Sequence, residues 1–579
     1  MVRTHSGCPP PPAQIVQPLV WRTLVLFAEL GPNSFRTPLY TFNIGMTIIT
    51  NQEPQKKTVF AGLDAHDAPS PTEKEEFLSG SAVIVLSQVE QRQNPDARII
   101  VHEVSFAQER RLGEFVDTFQ GIKTGDDACY VRFFWENAVN RPEWKFMQTT
   151  VDAHTIWGGA SLLVWWKSDG RHLIRRREEG QAAARTRQAV SVSQMNNLPC
   201  CMLAAHAFDS NVSPLFVREN NQIEAIYTYC TSEEFLSNVR TLEPSLKANN
   251  GVLLKIPFDL NHWQKVAAEK YPDGLPEPYS DDPTQWLFHG NPAQADRGTA
   301  VHVVLARLCG YRWTAETDTK MCLSAEARDW IAKAASLPAG DADGLLALPA
   351  VAGEKPLADR LRTYLAAAFG AEWSDALERR LVAEADEVLD KRSARDGSLE
   401  AWLRDRAFRQ HCTLFHQRPF LWHIWDGQAD GFAAFLHYHR LTRANLEKLS
   451  FSLLGDWIAR MRDAGDQRRL EAALMLQEKS QAILQGESPL DIVVRWKPVE
   501  AEPIGWNPNF DDGVRLNIRP FMRAEVLRDT PSIHWRKDRG RDVPSAPWYE
   551  KFNGERINDH TLTLATKQAA REAAAGRVA

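Results

Sequence analysis

The chain has 579 residues, 44% of them hydrophobic and 25% charged, with a formal net charge of −6 and a pI near 6.3. One hydrophobic core serves roughly 100–200 residues, so this length implies several domains. The composition is that of a soluble globular protein, and the absence of any run of about 18 apolar residues excludes a membrane-spanning helix. A mildly acidic balance does not exclude a nucleic-acid partner, because a basic groove can lie on an acidic protein.

The leader "MVRTHSGCPPPPAQIVQPLVW" lacks the continuous apolar core of a signal peptide, and its prolines predict an extended lead-in. "YTFNIGMTIIT" reads as a strand ending at Asn51. "FLSGSAVIVLSQ" (77–88) gives a helix end, a glycine turn and a strand, and "RIIVHEVSF" (98–106) predicts another. Further strands are expected at "SLLVWWKS" (161–168), "IEAIYTYC" (223–230) and "GVLLKIPF" (251–258). Helices are expected at 231–240, opened by Thr231/Ser232 with Glu233 and Glu234 in the first turn, and at 260–270.

After "GNPAQADRG" (290–298) the chain turns rich in Ala, Leu, Arg and Glu. Leu357, Leu361 and Leu365 fall on one helical face, Leu377 and Leu381 on another. The run 338–355 reads as a loop, and helical spacing continues to Gly486. The last segment is rich in Pro, Trp and charge and ends in an Ala/Arg-rich helical tail. The fold class is α+β: a mixed α/β region, then a mainly helical region, then an irregular C-terminal segment. The boundaries read as 1–60 (leader and first strands), 61–297, 298–490 and 491–579. The 19 Trp are mainly core filler. Eight Cys without CxxC pairs suggest reduced thiols and a cytoplasmic protein.

"FVDTFQGIKTGDDACYVRFFWE" (115–136) is the first chemical candidate. A Walker loop needs Lys directly after its last Gly, and here Ile122 separates Gly121 from Lys123. Adjacent Asp126 and Asp127 seldom share one metal ion. Two readings stay open: a Gly-bracketed polar turn, or a turn that projects Lys123, Thr124 and Asp126 toward a polymeric anion with Arg132 and Trp135 behind it. The stretch 165–188 holds Lys167, Arg171, His172, Arg175, Arg176, Arg177, Arg185 and Arg187, diluted by Asp169, Glu178 and Glu179. It reads equally as a phosphate-binding surface or a solvated face.

His411, Cys412, His416 and His423 alternate with bulky apolar residues, which favours a helical core carrying partly exposed histidines over a zinc site; the same holds for His437 and His439. Asp96 and Glu103 lack the lysine of a nuclease core, Ser105 standing in its place. No metal site is expected.

Three stretches carry a family likeness: "GIKTGDDACYVRFFWE", "HCTLFHQRPFLWHIWDGQADGFAAFLHYHRL" (411–441), and "GWNPNFDDGVRLNIRPFM" (505–522) with 533–565. Together with 17–35, 189–214 and 253–290 they closely resemble the C-terminal half of large class I SAM-dependent adenine-N6 DNA methyltransferases. These are type IIG-like enzymes of restriction-modification and phage-defence systems of the BREX and DISARM kinds. The likeness runs from about residue 20 to 565.

The resemblance implies a target-recognition region binding double-stranded DNA. It implies S-adenosylmethionine and an N-P-P-[YF] pocket for a flipped adenine on the catalytic half. Neither motif is in this sequence: "NPNF" (507–510) is nearest, with Asn509 in place of the second Pro, and no F-x-G-x-G follows an early strand. The expectation is a chain beginning near the last strands of a methyltransferase domain, inactive alone and binding no cofactor itself. The alternatives are an active enzyme assembled with a separate SAM-binding subunit, or a protein-interaction scaffold on the helical region.

By resemblance Lys123 and Thr124 contact DNA, Gly121 and Gly125 permit the turn, and Asp126 orients Lys123 or accepts from a cytosine amine. Arg132 and the Arg175, Arg176, Arg177 run join the DNA-binding set. Gln194 and Asn211 are candidates for base edges, and Arg536, Lys537 and Arg539 for phosphates.

Overall fold

The computed structural model describes residues 22–35, 44–94, 99–101, 110–137, 143–205, 207–243, 245–390, 397–486, 489–490, 499–501, 504–529, 532–535 and 563–578. It is mixed α/β, strand-rich in its N-terminal half and mainly helical beyond. The chain forms two compact units. The first takes residues up to Ile122, Gln148–Gly158 and Arg177–Leu275; the second takes Lys123–Met147, Gly159–Arg176 and Pro276 onward. Two excursions from the N-terminal half thus belong to the second unit, which no shift in composition announces.

In the first unit, the strand Thr23–Gly31 pairs antiparallel with Ile44–Thr50 and parallel with Val59–Asp64, and Ile84–Ser87 closes the sheet. The parallel step is allowed because the strand at 44–50 and its connections separate the two partners. The helix Pro71–Gly80 starts at Ser70, whose hydroxyl accepts from the Glu73 amide, with Pro at the first position where no amide is needed. A second, antiparallel sheet runs in the order Cys200–Met202, Ala189–Ser193, Val212–Val217, Val116–Thr118. Its apolar face (Val190, Val192, Leu215, Val217) shares one core with the helices Ile223–Cys230, Glu233–Leu242 and Leu260–Lys270.

Two expected strands differ. Residues 223–230 form a helix, buried at every position but Glu224. An eight-residue run of apolar and β-branched side chains carries no period that separates a buried strand from a buried helix. Within 251–258, Asn250–Leu253 is a helical turn; only the end is extended, where Ile256 and Phe258 exchange backbone hydrogen bonds with Leu112 and Arg110. At 98–106, residues 99–101 are not in a strand and the rest lies outside the described residues. The helix expected at 231–240 runs Glu233–Leu242 behind the Ser232 cap.

In the second unit the strands Val131–Phe133, Leu162–Trp165 and Trp144–Gln148 pair antiparallel in that order. A second sheet pairs Leu345–Ala347, Ala433–His437 and Leu421–Trp425. Helices surround it, among them Ala300–Leu308, Leu357–Phe369, Asp375–Ala385, Leu399–Asp405 and Gln467–Gln485. Leu357, Leu361, Leu365, Leu377 and Leu381 are all buried, on the faces their spacing indicates. Trp135, Trp313, Trp402, Trp422 and Trp506 are core side chains.

Two expectations for this region are corrected. The run 338–355 contains the strand Leu345–Ala347. The histidines at 411–439 do not share one continuous helix, and only His416, exposed, and His439, partly buried, keep contact with solvent. His411 sits in the short helix Ala407–Leu414, His423 and His437 lie on strands, and all three are buried. "RPF" (418–420) ends the helix, and the alternation LWHIW then pairs as a strand.

Candidate nucleic-acid interface

The turn at 121–126 is built from its backbone outward. Ile122 donates to the Phe208 carbonyl at 2.8 Å. A Cβ on Gly121 would lie 1.8 Å from the Asp209 carbonyl oxygen, so only glycine fits there. Gly125 has φ of +83°, the left-handed conformation that glycine adopts without strain. Asp126 accepts from the Cys129 amide at 3.3 Å and caps the helical turn Asp127–Tyr130. The Thr124 hydroxyl donates to the Asp127 carboxylate and is only 8% exposed. The loop's hydroxyl and acids therefore hold the loop itself, and Lys123 is its exposed cation.

The basic stretch meets this turn directly. Lys123 and Arg175, fifty-two positions apart by subtraction of their numbers, form an antiparallel bridge. The Lys123 amide donates to the Arg175 carbonyl at 2.9 Å, and the Arg175 amide to the Lys123 carbonyl at 3.1 Å. Residues that exchange both bonds stand directly opposite, Cα atoms about 5.5 Å apart. Both side chains are exposed, as is Arg171, and none of the three has a carboxylate partner among the described residues. Like charges directly opposite each other destabilise a pairing. An anion seated between them removes that cost.

The remaining candidates separate. Arg132 is 4% exposed. Its Nε donates to the Asp511 carbonyl at 3.2 Å and its Nη1 to the Ala128 carbonyl at 2.8 Å, so its charge faces inward, away from any duplex. Gln194 is 6% exposed, its amide spent on Ser213 at 3.0 Å and Asn250 at 3.2 Å. Asn211 is exposed and donates to Asp209 at 3.1 Å. Arg176 is partly buried and reaches the Asp169 carbonyl at 3.3 Å. Arg177, in the first unit, is exposed, precedes the helix Glu178–Thr186 in a left-handed conformation, and donates to Gln120 at 2.7 Å. Arg536, Lys537 and Arg539 lie outside the described residues.

The sequence did not reveal what the second half of the turn motif does. Glu136 is buried and accepts from the Phe133 amide at 3.0 Å and the Val514 amide at 3.1 Å, while the Tyr438 hydroxyl donates to its carbonyl at 3.0 Å. Trp144 donates to the Asp511 carboxylate at 3.1 Å, and Trp135 to the Arg418 carbonyl at 3.1 Å. Residues of the stretches 121–136, 411–441 and 505–522 thus converge on one buried polar cluster. In "NPNF", Asn509 accepts from the Asp511 amide and Phe510 packs on Tyr438 at 5.2 Å, a structural turn.

The buried histidines are held neutral. Burial lowers His302 and His289 from 6.5 to about 4 and His423 to about 3. His411 lies well below its usual value, through burial and then the nearby His302 and His437. Among the described residues no three His, Cys, Asp or Glu side chains converge as a ligand set for a metal, and no helix is long and apolar enough to cross a membrane.

No family model matches the chain, and no curated protein matches it. Among solved structures it is similar to the type IIL restriction-modification enzyme MmeI in complex with DNA. That similarity spans 55% of this chain and 43% of the enzyme's, at 8% identity and a TM-score of 0.24. A likeness at that score carries no argument about fold or activity.

Proposed function

We propose that this chain is the DNA-binding, target-recognition part of a site-specific adenine-N6 DNA methyltransferase of a restriction-modification or phage-defence system. The observation that supports it is the Lys123–Arg175 bridge. Two basic segments that are separate in sequence meet there as adjacent, exposed, uncompensated cations. A lysine and an arginine side by side suit consecutive backbone phosphates: the guanidinium spans two oxygens and the ammonium supplies a mobile point charge. Phosphate contacts of this kind set register on a duplex without reading bases. The methyl-transfer chemistry belongs to residues this sequence does not contain, since neither N-P-P-[YF] nor F-x-G-x-G occurs in it.

The test is duplex binding by the purified chain across a salt series. We expect affinity to fall steeply with salt. Lys123→Ala and Arg175→Ala should each reduce the log–log slope by about 0.9 while the melting curve stays unchanged. Binding that ignores salt rejects the proposal. Tight binding of S-adenosylmethionine by the chain alone rejects the assignment of the chemistry to another polypeptide. Methyl transfer regained on mixing with a SAM-binding subunit supports it.

A further inference from the structure

Ile174 is 60% exposed, and three consecutive arginines follow it. Single exposed apolar side chains are ordinary on protein surfaces; the surroundings of this one are not. The segment that carries it is fixed on both sides. Leu173 is buried and donates to the Gly170 carbonyl at 3.0 Å, and the His172 ring lies 4.8 Å from Tyr130. Gly170, at φ +70°, closes the turn against Trp166, where a Cβ would come within 3.1 Å of the indole. On the other side Arg175 is tied to Lys123 by two backbone hydrogen bonds. Ile174 is therefore held out to solvent between a buried leucine and a bridged arginine. Arg171 and Arg175 flank it in the chain and Lys123 is bridged to Arg175, all three exposed and without carboxylate partners among the described residues.

We infer that Ile174 is an apolar wedge that enters the minor groove of bound duplex between two base pairs, with Lys123, Arg171 and Arg175 on the flanking phosphates. The inference rests on the DNA-binding reading above and adds to it a deformation of the DNA. An apolar side chain on an anchored segment with cations beside it in the chain has the two features such insertion needs: a surface that replaces lost base stacking, and charge that neutralises phosphates drawn together by the kink. A groove-reading helix is not required, and the segment runs through a turn and a bend, 171–174, into the bridge at Arg175.

The experiment uses the full chain and a short mixed-sequence duplex carrying a donor and an acceptor dye at its ends, at low salt. Wild-type protein should raise energy transfer between the ends. Ile174→Ala should abolish that rise, leave the salt slope unchanged and leave the melting curve unchanged, because the side chain is exposed. Ile174→Leu should restore the rise. Equal bending by the wild type and Ile174→Ala overturns the wedge alone, as does wild-type binding without bending. No binding by the wild type at any salt overturns the DNA reading together with the wedge.

Discussion

The two units solve burial differently. The first unit's main core is apolar: a Val- and Leu-faced sheet under helices, with Cys200 and Cys230 acting as small hydrophobes. The second unit buries charge and imidazole. Arg307 is enclosed with its guanidinium on Glu316, the Tyr364 hydroxyl at 2.6 Å and the carbonyls of Gly290 and Ala334. Arg406 pairs with the buried Asp386 at 2.9 Å. A buried charge is tolerated only when its hydrogen bonds are met, so the second unit's stability depends on protonation and on intact networks. The first unit's depends on volume.

Acid should separate the units most strongly. Buried His289, His302 and His423 have folded pKa values of about 4, 4 and 3 against 6.5. Their stability contribution is complete above 6.5 and is lost as pH falls, because the unfolded chain takes up protons first. Each costs about 1.4 kcal/mol per pH unit down to its folded value. In the first unit Glu29 is raised from 4.5 to about 7, by burial first and then by Asp64, Glu243 and Asp67. A raised carboxyl has the opposite sign: acidification from 7 toward 4.5 stabilises the fold. His154 in that unit opposes this, but it is exposed. Site-resolved hydrogen exchange at pH 7 and pH 5.5 should show protection falling across 299–486 and holding across 23–87. Parallel loss in both would contradict the comparison.

The next effect is at Glu136. Removing it leaves the Phe133 and Val514 amides without their acceptor and the Arg418 guanidinium, 3.8 Å away, without that carboxylate. Glu136→Ala should cost about 3–5 kcal/mol in denaturant titration of the second unit, and Glu136→Gln clearly less. A cost below that of an ordinary surface change would show that the cluster is not structural. The smallest effect is chemical. Burial raises Cys201 to about 12 and Cys200 well above its usual value, whereas Cys322 of the second unit is exposed. Brief maleimide treatment near neutral pH followed by peptide mapping should mark Cys322 and spare Cys200, Cys201 and Cys230.

The sequence by itself determined the elements whose signals are local. Caps such as Ser232, leucine spacing such as 357/361/365, and glycine at 121 and 125 each follow from a few neighbouring residues. It also showed two cationic stretches. Only the tertiary structure decided that Lys123 and Arg175 share a bridge while Arg132 and Gln194 turn inward, and that 223–230 is a helix. The physical reason is range: a cap or a turn is settled by backbone geometry over four or five residues. Whether a charged side chain meets solvent or a carbonyl nearly four hundred positions away depends on long-range packing, which no local pattern encodes.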